Sequence, residues 1–267
     1  MINFHYTFTG NNQKPFLIFL HGFMGNIYEF DSVIPLLYND FYILKIDLPA
    51  HGKTQVLDDN KFYKIEETAK ALVQFLDNVF NTLNISRCFL IGYSMGGRLG
   101  LYLTLNYPQY FSKVILESAS PGLKSEIERL ERQKKDGQIA RKLERCNKND
   151  FLTFLDNWYR QPVFGKIKNH PNFQEVIDIR YANNPKELAK SLIFMGTGSQ
   201  PSLWEKLKDN QVSLLLLAGE YDDKFIEINR EMLSLCNRCD FQVISLAGHN
   251  IHFENRVAFA GVVKDFF

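Results

Sequence analysis

Residues 88–97 read CFLIGYSMGG, and the order of residue types in this stretch points to one local structure. The apolar run 88–92 has the length and composition of a strand, and residues 95–106 carry apolar positions at helical spacing. Between them stands Gly92-Tyr93-Ser94-Met95-Gly96, a serine flanked by glycines at a strand-to-helix turn. A turn this sharp is strained and tolerates no bulk beside it, which is why glycine stands on either side. It lifts the Ser94 hydroxyl above the end of the sheet, at the N-terminus of the next helix, where the helix dipole favours negative charge. Ser94 is therefore the candidate reactive hydroxyl.

Outward from this point, apolar runs recur at Phe16–Leu20, 41–46, 114–117, 212–218 and 241–246. Continuous runs of this length suit strands of a parallel sheet buried on both faces. Helical spacing recurs between them. Residues 65–80 place Ala69, Leu72, Val73, Leu76, Val79 and Phe80 on one face, and 225–235 and 257–266 read similarly. The alternation predicts an α/β fold, a mostly parallel central sheet flanked by helices. Residues 121–208 break it. They contain no convincing strand, open with the charged stretch 124–145 and look helical to Trp204. Two readings stand: a solvated helical insertion, or a helical cap (121–208) over a site built on a core domain of 1–120 and 209–267. No internal repeat or low-complexity segment is visible.

A serine needs a base, and the base needs an orienting carboxylate. Among six histidines, His249 follows the last predicted strand, in Ala247-Gly248-His249, at the sheet edge where open α/β sheets form their sites. His252 is its rival. Asp222 follows the strand at 212–218, in Gly219-Glu220-Tyr221-Asp222; Asp223 is adjacent and reads otherwise as a turn residue before the helix. An oxyanion needs two backbone N–H donors. Met95, just after the serine, supplies one, and Phe23 in HGFMG (21–25), after an early strand, the other.

Composition narrows the classes. At 267 residues the chain can bury a substantial core. Hydrophobic residues at 45% and charged residues at 23% are ordinary for a soluble globular protein. A net charge of +1 offers nucleic acid or a membrane surface no bulk attraction. The start, MINFHYTFTG, lacks the charged segment and apolar stretch of a signal peptide, and no apolar run approaches the roughly 20 residues of a membrane span. The expected location is the cytoplasm, where thiols stay reduced. Cys236 and Cys239 form a lone C-x-x-C with no further ligands at matched spacing, near the end of a helix, so no metal is expected there. Cys88, in an apolar strand, reads as an inert buried thiol.

Several motifs together resemble a known family of the α/β-hydrolase fold, the 2-succinyl-6-hydroxy-2,4-cyclohexadiene-1-carboxylate synthases of menaquinone and phylloquinone biosynthesis. They are HGFMG (21–25), DLPAHG (47–52), GYSMGGR (92–98), SPGL (120–123), WYRQPVF (158–164), GEYDDKF (219–225) and AGHNIHFEN (247–255). HGF, G-x-S-x-G and AGH recur throughout the fold; Arg98 after the turn, SPGL and WYRQPVF are more specific. Ala50 stands where DLPGHG has glycine. The Ser…Asp…His order is that of the fold. The resemblance implies a catalytic triad of Ser94, Asp222 and His249, and a pyruvate-releasing lyase. Its substrate is a cyclohexene with carboxylates on the ring, the succinyl arm and the enolpyruvyl group. Carried over by motif, Arg98, Arg132 and Arg180 would grip those carboxylates, arginine being suited by its planar fork. Tyr93 and Trp158 would line the pocket. Arg132 reads otherwise as a solvated arginine with Arg129 close by, and Trp158 as core packing. The implied elimination needs no acyl-enzyme, metal or organic cofactor. Its implied partner is a small-molecule tricarboxylate substrate; no nucleic-acid or membrane partner is expected, and the chain is expected to be a monomer or weak homo-oligomer. A serine esterase or C–C bond hydrolase of the same fold is the alternative, and a ligand-binding receptor a further one. Neutral esters have no need of an arginine cluster.

Overall fold

A computed structural model describes residues 1–57 and 59–267. The strands are β1 (Ile2–Asn3), β2 (Tyr6–Thr9), β3 (Phe16–Leu20), β4 (Tyr42–Ile46), β5 (Gln55–Val56), β6 (Cys88–Tyr93), β7 (Phe111–Glu117), β8 (Ser213–Gly219) and β9 (Cys239–Ile244). The helices are α1 (Ile65–Leu83), α2 (Met95–Asn106), α3 (Glu126–Arg145), α4 (Lys148–Trp158), α5 (Phe173–Tyr181), α6 (Pro185–Met195), α7 (Asp223–Leu235), α8 (Ile251–Glu254) and α9 (Arg256–Phe266).

Seven strands form one sheet in the order β2-β4-β3-β6-β7-β8-β9. All neighbours are parallel except β2, which runs antiparallel to β4. The apolar strands are continuous because both faces are covered. Along β3, Phe16, Ile18 and Leu20 join a core with α1 and α2, while Leu17 and Phe19 face a second core that includes Phe259 and Val263 of α9. Each such buried leucine or phenylalanine contributes roughly 1.5–3 kcal/mol by leaving water. The edge strand β2 was not foreseen. Its side chains are half-buried or exposed, so it lacks the apolar run that marks the interior strands.

Register sets where the site can form. Leu20 pairs with Gly92, Tyr93 with Glu117, and Glu117 with Leu217. The chain therefore leaves β3, β6, β7 and β8 at nearly one level, on one edge.

Between β7 and β8 the described residues form no strand. Helices α3–α6 fill this interval. α3 opens on a capping box between Ser125 and Glu128, and α4 on one between Asn147 and Asp150, which satisfy N–H groups at their first turns. Leu143, Phe151, Leu155, Leu188 and Leu192 make a small core of their own, joined by Met24 from the loop after β3. Tyr159, Phe164, Ile167 and Val176 form another around Phe253 of α8. Among the described residues no helix is long and apolar enough to cross a membrane.

Candidate active site

Ser94 has φ 49° and ψ −105°, a left-handed conformation that costs a non-glycine residue on the order of 1–3 kcal/mol. Its neighbours explain how the turn is accommodated. A Cβ on Gly92 would lie 2.6 Å from the Gly96 carbonyl oxygen, and one on Gly96 2.2 Å from that of Leu20. Ser94 precedes α2 without capping it, so its hydroxyl is not tied to the helix. It lies 3.1 Å from His249 Nε2, and His249 Nδ1 lies 2.6 Å from Asp222 Oδ2. With Nδ1–H donating to the carboxylate, Nε2 is left as the acceptor for the serine proton. Asp222 is buried at the N-cap of α7, while Asp223 is exposed. The structure thus sets Asp222, not Asp223, behind His249. His252 goes elsewhere, onto Glu117 at 2.8 Å.

The loop after β3 is held by two buried histidines that sequence reasoning passed over. His21 Nδ1–H donates to Gly22 O at 2.8 Å, and its Nε2 accepts the Leu48 N–H at 2.9 Å. His51 donates likewise to Pro49 O and accepts the Met24 N–H at 3.0 Å. Burial pushes both rings below the usual histidine range, so both stay neutral, as an accepting Nε2 requires. Asp47 accepts the N–H of Ile27 at 2.6 Å and of Lys53 at 2.9 Å. Phe23 sits inside this pinned segment. Gly96 packs so closely on Leu20 and His21 that the first turn of α2 abuts the loop. Among the described residues, no acceptor takes the N–H of Phe23 or Met95.

A cavity of about 340 Å³ opens above Ser94 and His249, between the sheet edge and α3–α6. Phe23, Tyr93, Met95, Trp158 and Phe164 line it, as do Arg98, Arg132, Arg180 and Lys224. Arg98 donates to Met195 O at 2.9 Å and to the Gln200 side-chain carbonyl. Burial, and then the nearby Arg132, bring its pKa down to about 10, so it stays charged at neutral pH. Arg132 Nε donates to Asp136 at 2.8 Å (i,i+4), and Arg132, not Arg129, forms part of the wall.

Arg180 reaches the cavity, but its charge is already matched. It is fully buried and forks onto Glu29 at 2.5 and 2.6 Å, and its Nε–H donates to the Tyr159 hydroxyl at 2.9 Å. Burial opposes its charge, but Glu29, together with Tyr159 and Tyr93, outweighs burial and raises its pKa. Lys224 is a further cation that sequence reasoning missed. The residue is exposed at the cavity rim, yet partial burial of its ammonium, then Arg132, lowers its pKa. A signal existed, since a lysine in the first turn of a helix opposes the helix dipole. Cys236 follows α7 as its C-cap and Cys239 opens β9, both buried and away from the cavity.

A family profile described as the alpha/beta hydrolase fold matches residues 15–256. A 2-succinyl-6-hydroxy-2,4-cyclohexadiene-1-carboxylate synthase of Escherichia coli O1:K1 / APEC is 33% identical, over 95% of this chain and 93% of its own length. The protein PHYLLO of Arabidopsis thaliana chloroplasts is 28% identical over 92% of this chain, which spans 15% of that longer protein. The solved structure of MenH from S. aureus superposes with a TM-score of 0.89 at 33% identity, covering 98% of this chain and 97% of that one. By this likeness along nearly its whole length, the chain belongs to the α/β-hydrolase fold and, within it, to the family of 2-succinyl-6-hydroxy-2,4-cyclohexadiene-1-carboxylate synthases.

Proposed function

We propose that this chain eliminates pyruvate from 2-succinyl-5-enolpyruvyl-6-hydroxy-3-cyclohexene-1-carboxylate to give 2-succinyl-6-hydroxy-2,4-cyclohexadiene-1-carboxylate, with Ser94, His249 and Asp222 as the base. The observation that carries it is the row Ser94–His249–Asp222 opening into a cavity that also holds Arg98, Arg132 and Lys224. A trianion needs such a wall and a neutral ester does not.

Ser94 Oγ takes the ring proton beside the succinyl ketone as its own proton passes to His249 Nε2. Asp222 orients the ring and stabilises the imidazolium that forms. The C–H electron pair becomes an enolate, whose oxygen the N–H groups of Phe23 and Met95 receive. The enolate collapses through the ring double bond and breaks the C–O bond to the enolpyruvyl group. The proton then goes to the departing enolate, which leaves as pyruvate. Electrons and protons balance within the substrate. The helices α3–α6 act as a cap that supplies Trp158, Arg132 and Arg180, with Tyr93 on the floor. The reading includes a cytoplasmic monomer or weak homo-oligomer acting on a soluble small molecule.

The test is product analysis by mass spectrometry with the enolpyruvyl substrate, beside cleavage of a neutral nitrophenyl ester. Pyruvate and the cyclohexadiene should appear in equal amounts. Efficient ester cleavage without pyruvate would move the chain to the hydrolases of the same fold.

A further inference from the structure

His252 stands three residues after His249, with a fully buried ring. Its Nδ1 lies 3.0 and 2.8 Å from the two carboxylate oxygens of Glu117, the last residue of β7, and its backbone N–H donates to the same group at 3.0 Å. Its Nε2 lies 3.6 Å from Glu29 Oε1 and has no hydrogen-bond partner among the described residues. Glu29 in turn receives the fork of Arg180. Four ionisable groups thus alternate in a row, Glu117–His252–Glu29–Arg180, none more than 5% exposed.

Each ring nitrogen of His252 faces a carboxylate. A neutral imidazole would turn its lone pair toward one of them, which repels, whereas an imidazolium offers N–H to both. The charges then sum to zero. With a neutral ring the row would carry one uncompensated buried negative charge. Burial works against the ring's charge, but Glu117 and Glu29 outweigh it, and its pKa is pushed up to about 9. Burial likewise works against the Glu29 carboxylate, yet Arg180 and His252 hold it down at about 2.

The row ties the parts of the site to one another. His252 belongs to α8, which begins two residues after His249, and Glu29 stands on the segment that follows Phe23. Arg180 is near the end of α5, among the helices over the cavity. Asn183 runs alongside, its Nδ2–H donating to Met24 O at 2.7 Å.

We propose that His252, as an imidazolium, is a positioning residue. It balances Glu117 and Glu29, and so locks the segments carrying His249, Phe23 and Arg180 together and keeps the buried row, which meets the cavity at Arg180, from repelling a trianionic substrate. This rests on the proposed reaction.

Two measurements test it. Nitrogen NMR of histidine-labelled wild-type protein reads the ring charge without any substrate. Both nitrogens should be protonated at neutral pH, and a neutral ring overturns the proposal. The second is pyruvate release. His252→Gln leaves one buried negative charge unbalanced and should raise KM about tenfold or more. Glu117→Gln with His252→Gln restores a neutral row and should recover KM to within about threefold of wild type. A role in packing alone predicts a double variant worse than the single one, and that result overturns the proposal. If His252→Gln does not fold, the double variant decides: it must fold and turn over, and failure of either overturns the proposal. Wild-type protein that releases no pyruvate would instead refute the reaction, leaving the NMR result to stand by itself.

Discussion

Asp222→Asn isolates the orienting carboxylate with a change of almost no volume. In the native site Asp222 Oδ2 accepts from His249 Nδ1–H at 2.6 Å, and Oδ1 lies 3.4 Å from the Phe225 N–H. An asparagine must put its NH2 group at one of these places. Toward His249, it forces the proton onto Nε2, where the ring can no longer accept from Ser94. Toward Phe225, it sets donor against donor and still withdraws the negative charge behind the ring. Asp222 and His249 are both buried, so water does not replace the lost partner. Leaving a buried charge unpaired costs roughly 3–5 kcal/mol, here the imidazolium formed during reaction. At about 1.4 kcal/mol per factor of ten, and with the wrong tautomer added, the loss in kcat is on the order of 10³–10⁴. The assay is saturating turnover to pyruvate, with circular dichroism as the control for folding. Asp223→Asn, at an exposed position, should stay within about twofold because nothing buried depends on it. A folded Asp222→Asn that keeps kcat within about tenfold of wild type, or an Asp223→Asn that proves the damaging change, would remove Asp222 from behind His249.

Arg98→Ala should lower kcat/KM for the tricarboxylate by tens to thousands of fold, about 2–5 kcal/mol, with neutral-ester cleavage nearly indifferent and Arg98→Lys restoring part. Equal losses on both substrates would show that Arg98 acts through the fold. Lys224→Gln should raise KM by a smaller factor, on the order of three to ten, which shrinks at high salt because the residue stands where solvent screens it; a salt-independent effect would count against a charge contact. Ala50 is held at φ 71°, so Ala50→Gly relieves roughly 1–2 kcal/mol of left-handed strain against about 0.5–1 of added chain entropy. A urea midpoint that falls would contradict that balance. Stability should also depend on pH in a set direction. Glu29 is held at about 2, below its usual 4.5, so its contribution is present above pH 4.5 and lost as pH falls toward 2. His252 is raised from 6.5 to about 9, and Glu254 by burial from 4.5 to about 7, so their contributions fade as pH rises through 7 and 9. Urea midpoints that climb between those two values would refute this.

The interior strands were legible because two-sided burial demands continuous apolar runs, and β3 was read to the residue. Elsewhere the ends moved. β7 starts at Phe111, three residues before its expected position, because Ser112 and Lys113 are exposed or half-buried and interrupt the apolar signal. β9 is shifted two residues toward the N-terminus, with Leu246 in a left-handed turn beyond it. β2 was invisible because its alternating exposed and half-buried positions make no apolar run.

The positions of Ser94, Asp222 and His249 on their elements depend on near neighbours in the chain. A glycine-flanked serine between strand and helix, an aspartate after a strand and a histidine after a strand are local backbone patterns. One sequence can state them, because the forces involved act over a few residues. The alternatives at the site were decided only by folding. Asp222 over Asp223 and His249 over His252 turn on which side chain faces the site at the sheet edge, and Arg132 over Arg129 on which face of α3 meets the cavity. Arg180 meets Glu29 151 residues away in sequence, and His252 meets Glu117 135 residues away. Whether a buried charge is free for a substrate or already neutralised depends on a partner that only tertiary packing brings within reach, because unscreened electrostatic pairing is set by distance and burial, not by position along the chain.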